Sequence, residues 1–244
     1  MAFLLTFVAG FVDIVGYIAV YHLFTANMTG DTVHLSHDLI TGQHAAALIA
    51  LSVLAGFVFG SIGGRAIIEA GGRVHVRCVA SITIAIEAGL LLTFVVLFNT
   101  LSAPAKSPGS ICLLLVVLAM AMGIQTASLT RIGPLTVHTT FVTGMLNKLA
   151  QLVSHFIFRS YDLARADEHN RQRLRELRKQ HMQEALFFFL IWFTYCIAAL
   201  AGTLCYLRGN IRVMYLPAVL LAIAIIVDQS HPLSLQEEQD QVEL

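Results

Sequence analysis

The chain has 244 residues, 57% of them apolar and 12% charged, with a formal net charge of zero and a mean hydropathy of +0.76. A soluble domain carries about 25% charged residues, so this composition excludes an ordinary water-soluble fold. The charges are also unevenly placed: no Lys or Arg precedes Arg65, and nine of the fifteen basic residues lie between Arg131 and Lys179.

A hydrocarbon core about 30 Å thick takes about 20 apolar helical residues to cross. Six stretches qualify in chain order: Phe3–His22, Ala45–Gly63, Cys78–Phe98, Ile111–Thr130, Ala185–Leu207 and the shorter Val213–Val227. The first lacks the basic start and small-residue cleavage site of a signal peptide, and reads as a retained helix. Between the fourth and fifth stretches, Tyr161–Glu184 reads as a polar helix carrying Arg171, Arg173, Arg175, Arg178 and Lys179. It is either a solvated connector or a surface for anionic headgroups. The four cysteines, Cys78, Cys112, Cys196 and Cys205, sit in or beside apolar runs without ligand spacing, so neither a disulfide framework nor a metal site is expected.

Basic residues gather on the cytoplasmic side of membrane proteins. Thr25–His44 has none, Gly64–Arg77 has Arg65, Arg73 and Arg77, Ser102–Ser110 has Lys106 alone, and the connector region has most of the rest. Arg208 and Arg212 weakly oppose the pattern. Six spans with both termini in the cytoplasm satisfy the strongest counts, which also places the acidic tail at residues 229–244 there.

Two polar stretches resemble each other. Gly10-Phe-Val-Asp13 precedes Thr25-Ala-Asn27-Met-Thr29-Gly30, and Gly123-Ile-Gln125-Thr126 precedes Thr139-Thr140-Phe-Val-Thr143-Gly144. A three-span unit followed by its own copy re-enters the membrane from the opposite side. The expected architecture is therefore all-α and polytopic, with about six transmembrane helices as two inverted three-helix repeats, residues 1–98 and 111–228. The Thr-Gly stretches are either broken or re-entrant helices, or interfacial loops followed by amphipathic helices.

The strings Gly10-Phe-Val-Asp13-Ile-Val-Gly16-Tyr17, Phe24-Thr-Ala-Asn27-Met-Thr29-Gly30-Asp31-Thr32 and Met122-Gly-Ile-Gln125-Thr126-Ala carry a further resemblance, extended by Thr139–Gly144 with Leu149. From about Leu4 to Val227 the chain resembles the YoaK family of bacterial membrane proteins. That resemblance implies a multi-spanning protein of the bacterial inner membrane and a domain of unknown function. The chain departs from the family pattern at Thr126 and Asp31, where the family usually has Asn. A departure there implies a different ligand or coupling, if those amides line a site.

Asp13 and Glu87 are acids inside apolar stretches, with no Lys or Arg within a span to pair with them. Such groups are costly at membrane depth. Each is either a proton- or cation-linked site or a hydrogen-bonding strut. Asn27, Thr29, Gly30, Gln125, Thr126, Thr140, Thr143 and Gly144 either hold a small solute or ion, or act as packing glue between helices. Asp31, His34 and Asp38 share a helical face with His37 beside it, but nothing else completes a metal coordination set. Gly56, Gly60, Gly63 and Gly64 form a small-residue GxxxG pattern suited to packing within the chain or to a homo-oligomer seam.

No Walker A loop, HExxH, GxSxG or GxGxxG in a strand–helix setting is present, so no enzyme and no cofactor are expected. Basic residues confined to loops give no support for nucleic acid as a partner. The expected partners are the lipid bilayer and a small solute or ion. The expected function is a secondary transporter or channel-like permease, proton- or cation-coupled through the acids. The alternative is a non-transporting membrane scaffold or sensor acting through the basic connector.

Overall fold

Backbone in hydrocarbon must satisfy its own N–H and C=O groups, which drives apolar stretches of this length into helices. The computed structural model describes residues 1–230 apart from 75, 77, 102–106, 129–139 and 166, and leaves out the side chains of 168, 169 and 230. Arg77, Lys106, Arg131, Thr139 and the acidic tail from 231 onward lie outside the described residues. The chain is an all-α polytopic membrane protein. Its helices are α1 (Ala2–Gly16), α2 (Met28–Ile40), α3 (His44–Arg73), α4 (Val79–Thr100), α5 (Pro108–Ser128), α6 (Val142–Arg165), α7 (Glu168–Gly209) and α8 (Tyr215–Ser230). A π-helical turn, Tyr17–Tyr21, extends α1, and a 3-10 turn, Asn210–Met214, joins α7 to α8.

Among the described residues, five helical stretches are long and apolar enough to cross a bilayer, and the last of them, Asn170–Gln229, takes in most of α7 and α8. Two expected boundaries move. The segment after Gly63 is not a turn, because α3 runs on to Arg73, supported by an Arg65–Glu69 pair one helical turn apart at 3.2 Å. The basic connector is not one helix but a hairpin. α6 ends at Arg165, and Asp167, in extended backbone, starts α7 by accepting the N–H groups of Asn170 and Arg171 at its carbonyl.

The hairpin has its own small core, in which Met145 and Leu152 of α6 meet Ala185, Phe188 and Ile191 of α7 and Ala2 of α1. His155 and His181 stack at 5.3 Å farther out. α7 has 42 residues, about 63 Å at 1.5 Å per residue. That is about twice a hydrocarbon core, so its basic first half extends the hairpin past the level of Phe3, whose ring meets Phe187.

Helix directions follow from the pairs that touch. α1 runs parallel to α7, with Phe3 against Phe187, Gly10 against Ala198 and Ile14 against Gly202. α3 runs parallel to α5, with Gly56 against Val116, Gly60 against Met120 and Gly64 against Ala127. α1 and α5 are antiparallel, with Leu5 against Gln125 and Gly16 against Leu118. α4 and α8 are antiparallel too: Ser81 near the start of α4 meets Asp228 near the end of α8, and α4 also touches the 3-10 turn before α8.

The two parallel seams match in register. A β-carbon on Gly10 would press on the Tyr195 carbonyl and on Ala198, and one on Gly123 would press on the Phe57 carbonyl and on Gly60. Gly202 abuts Phe11 and Ile14, one and four residues after Gly10, while Gly64 abuts Ile124 and Ala127, one and four residues after Gly123. Apolar contact brings no water release inside lipid, so such helices associate through close packing of small residues.

Gly60→Ala should destabilise the fold by about 1–3 kcal/mol, because the added methyl meets the Met120 carbonyl backbone rather than a movable side chain. Gly63→Ala, with nothing within 4 Å, should be neutral or stabilising by up to about 1 kcal/mol. Reversible unfolding in mixed micelles measures both, and equal effects would contradict the packed seam.

Candidate functional site

α1 cannot simply continue. Its helix loosens into the π-helical turn and ends on His22, whose φ of 54° and ψ of 26° lie in the left-handed region. Tyr17 stacks on Phe24 at 4.8 Å and meets the His22 ring at 5.0 Å, packing the reversal with aromatic faces. The chain then doubles back until Thr25 lies against Asp13, twelve residues earlier.

Returning strands inside a helical bundle carry N–H groups with no helical partner. Asp13 supplies the partner. Its Oδ1 accepts from the Thr25 N–H at 2.7 Å, the Thr25 hydroxyl at 3.1 Å and the Ala26 N–H at 3.0 Å. Its Oδ2 accepts from the Tyr195 hydroxyl of α7 at 2.8 Å. One buried carboxylate thus ties α1, the fold-back and α7 together, with four donors around it.

α2 starts immediately afterwards. Asn27 is its N-cap and accepts from the Gly30 N–H at 3.4 Å. Asp31, one turn in, points inward and accepts from the Phe24 N–H at 3.2 Å through Oδ1, while its buried Oδ2 has no hydrogen-bond partner. His34 and His37 face outward instead, so the face that the sequence assigns jointly to Asp31, His34 and Asp38 is divided by the fold.

The second half has a neutral counterpart. The Thr126 hydroxyl donates to the Met122 carbonyl at 2.7 Å and lies 2.7 Å from the Thr140 hydroxyl. With its proton committed to Met122, Thr126 accepts from Thr140. Gly144 lies under the Phe141 ring, as Gly30 lies beside Phe24. Gln125 donates to the Leu5 carbonyl at 2.6 Å across the α1–α5 contact. Thr29 and Thr143 are exposed. Glu87 stands in the middle of α4, wholly buried, with no hydrogen-bond partner on either oxygen.

Hydrogen bonds therefore join Asp13 to the first fold-back and Thr126 to Thr140, while Gln125 reaches α1 and Glu87 stands on α4. Two surface grooves lie elsewhere. One, of about 600 Å³, is lined by Cys78, Ser81, Ile82, Ile225 and Gln229, and the other, of about 460 Å³, follows Thr32, Ser36, His37 and Thr41 along α2.

Residues 1–227 match the family described as "Protein of unknown function (DUF1275)". The chain belongs to this family. It is similar to the "UPF0700 transmembrane protein YoaK" of Bacillus subtilis (strain 168), with 30% identity over 156 residues covering 64% of this chain and 67% of the relative. No solved structure matches. The resemblance read from the Gly10–Tyr17, Phe24–Thr32 and Met122–Ala127 strings is thereby borne out.

In this family member, Thr25, Tyr195 and Asp31 complete the polar cluster that sequence alone leaves at Asp13. Nothing in the linear order signals Tyr195, which lies 182 residues away. Asp31 carries a signal, since the resemblance read from the sequence implies Asn there. Asp228, read from the sequence as the edge of the acidic tail, instead accepts from both the backbone N–H and the hydroxyl of Ser81.

Tyr195→Phe should cost about 1.5–3 kcal/mol, the range for a hydrogen bond to a charged group. Asp13→Ala should cost more, because besides losing the Tyr195 bond it strands the buried Thr25 N–H, at about 1–3 kcal/mol, and the half-buried Ala26 N–H. Unfolding in mixed micelles checks the order, and an Asp13→Ala loss below that of Tyr195→Phe would show that the fold-back is held by something else.

Burial pushes the Asp31 carboxyl from 3.8 up to about 7, with the Phe24 N–H opposing and the Asp13 carboxylate adding to the rise. A raised folded-state value means the folded chain prefers the protonated form. The associated stability is full below 3.8 and is lost as pH climbs through about 7. Wild type should lose stability across that window, and Asp31→Asn should flatten the profile. Identical pH profiles for the two would refute the assignment.

Proposed function

We propose that this chain is a secondary transporter or channel-like permease for a small solute, built as two inverted repeats of three spans each, with α1–α4 forming one and α5–α8 the other. The supporting observation is the matched register of the two parallel seams, Gly10 and Gly202 in one and Gly123 and Gly64 in the other. Under this pairing α1 corresponds to α5 and α4 to α8, and each corresponding pair crosses antiparallel. Antiparallel equivalents require a rotation axis perpendicular to the helices, hence lying in the bilayer plane. Transporters of this design move one half against the other around a site between them.

The first repeat opens with a long helix, a fold-back and a helix that starts at membrane depth. Freed backbone there is tolerated where it is buried in protein or lines a watery path. In the second, the Thr126–Thr140 hydroxyl pair sets a residue just before α6 against the end of α5. Asp13, Asn27, Thr29 and Gly30 in one half and Thr126, Thr140, Thr143 and Gly144 in the other, with Gln125, are the proposed solute-facing set.

The same reading places the protein in the bacterial inner membrane. The basic hairpin extends from the end of the bundle where α1 begins, so the positive-inside rule puts the N-terminus in the cytoplasm. α8 returns to that end, which puts the C-terminus there too.

A second reading, a scaffold or sensor acting through the hairpin, is favoured by the hairpin's separate core and projecting basic helix. The discriminating measurement is uptake into proteoliposomes across a solute panel. Transport should be saturable and fall at least tenfold in a Gly60→Leu variant, which jams the α3–α5 seam while leaving the hairpin intact. Failure of every solute in wild type, with function in cells lost on removing residues 161–184, would favour the scaffold.

A further inference from the structure

We propose that Glu87 is the proton-carrying residue of this transporter and that Asp13 is not. The inference rests on the function proposed above and names its coupling ion. The two acids look equivalent in the sequence and differ completely in their surroundings. Asp13 already accepts from Thr25, Ala26 and Tyr195. Protonating it would weaken the charge-assisted bonds that hold the fold-back. Glu87 is fully buried with both oxygens unpartnered.

The elements packed against α4 offer Glu87 no counter-charge among the described residues. α5 contributes only Cys112, whose thiol donates to Ser52. On α3, His44 and Arg73 are exposed, and Arg65 pairs with Glu69 at the surface. On α8, Tyr215 is exposed and Asp228 is engaged by Ser81, and Arg212 of the 3-10 turn is exposed. α4 itself adds only Cys78, at its N-cap. An isolated carboxylate in such a place is strongly disfavoured, so the group holds its proton in this conformation.

Its position suits a carrier. Buried positions on α4 fall at Ser81, Ile84, Glu87 and Leu91, and those on α8 at Asp228, Ala224 and Leu221. Stepping both stripes antiparallel from the Ser81–Asp228 pair sets Glu87 level with Leu221–Ala224, near the middle of each helix. α4 and α8 are equivalents in the proposed repeat, so their crossing lies on the rotation axis between the halves. A group on that axis is reached from one side, then the other, as the halves rock. Glu87 gains a proton from water on one side and releases it to water on the other, passing through the dry, buried position described here.

Infrared spectroscopy on the protein in lipid vesicles tests the protonation directly. At about pH 9, two units above the Asp31 value, Asp31 is ionised and any remaining protonated-carboxyl stretch belongs elsewhere. That band should be present in wild type and absent in Glu87→Gln, which keeps shape and folds. A missing wild-type band, or one that survives Glu87→Gln, overturns the proposal. In proteoliposomes, an inward pH gradient should stimulate uptake severalfold in wild type and not in Glu87→Gln. Full stimulation in Glu87→Gln overturns the coupling role even if the band behaves as expected. No uptake of any solute would sink the transport reading and the coupling role with it, while the infrared result would still decide where the buried proton sits.

Discussion

Backbone polarity is the constraint on which this structure turns. A chain that leaves its helix within a bilayer protein must find partners for every N–H it frees, and water is not available to supply them. Here one carboxylate supplies them for Thr25 and Ala26 and also captures the Tyr195 hydroxyl from another helix. The charge of Asp13 is thus tolerated because the donors around it solvate it in place of water. The same bonds fix where the reversal occurs, how α2 begins and how closely α7 lies against α1.

Close approach of α7 to α1 has its own requirement, met by Gly10 and Gly202, whose missing side chains let backbone meet backbone. The α3–α5 contact solves the problem with Gly123 and Gly64 in the corresponding places, and adds Gly56 and Gly60 along the same seam. The seams agree in register while the polar chemistry beside them diverges. Asp13 lies three residues after Gly10, and Thr126, three after Gly123, offers a neutral hydroxyl that bonds the Met122 carbonyl and Thr140. In the proposed repeat, packing geometry is what the two halves share, while the polar chemistry beside it differs.

The spans were legible in the sequence because apolar length is a local property. Among the described residues, the six expected stretches fall on helices apart from their end residues, and the Gly10–Asp13 and Gly123–Thr126 strings mark where α1 and α5 approach their ends. Boundaries set by side-chain pairing were not legible. Arg65 looks like the start of a loop until Glu69 is seen to answer it, and a run of basic residues does not show that the chain turns between Arg165 and Glu168. The candidate site was half legible. An acid in an apolar stretch announces itself, but whether it is satisfied depends on partners such as Tyr195 that only the fold brings near.

That dependence is why Asp13 and Glu87 part company. A buried carboxyl surrounded by donors is part of the scaffold, since changing its protonation dismantles what it holds. A buried carboxyl without donors holds nothing, so its protonation can change without tearing the framework, provided that water reaches it at some stage. In the proposed transport cycle, alternating access is the stage at which water does so. The proposed repeat and the lone acid on α4 are therefore linked: two halves that rock about an axis expose whatever lies on that axis to each side in turn. The proposal sets there the acid whose two oxygens have no hydrogen-bond partner among the described residues.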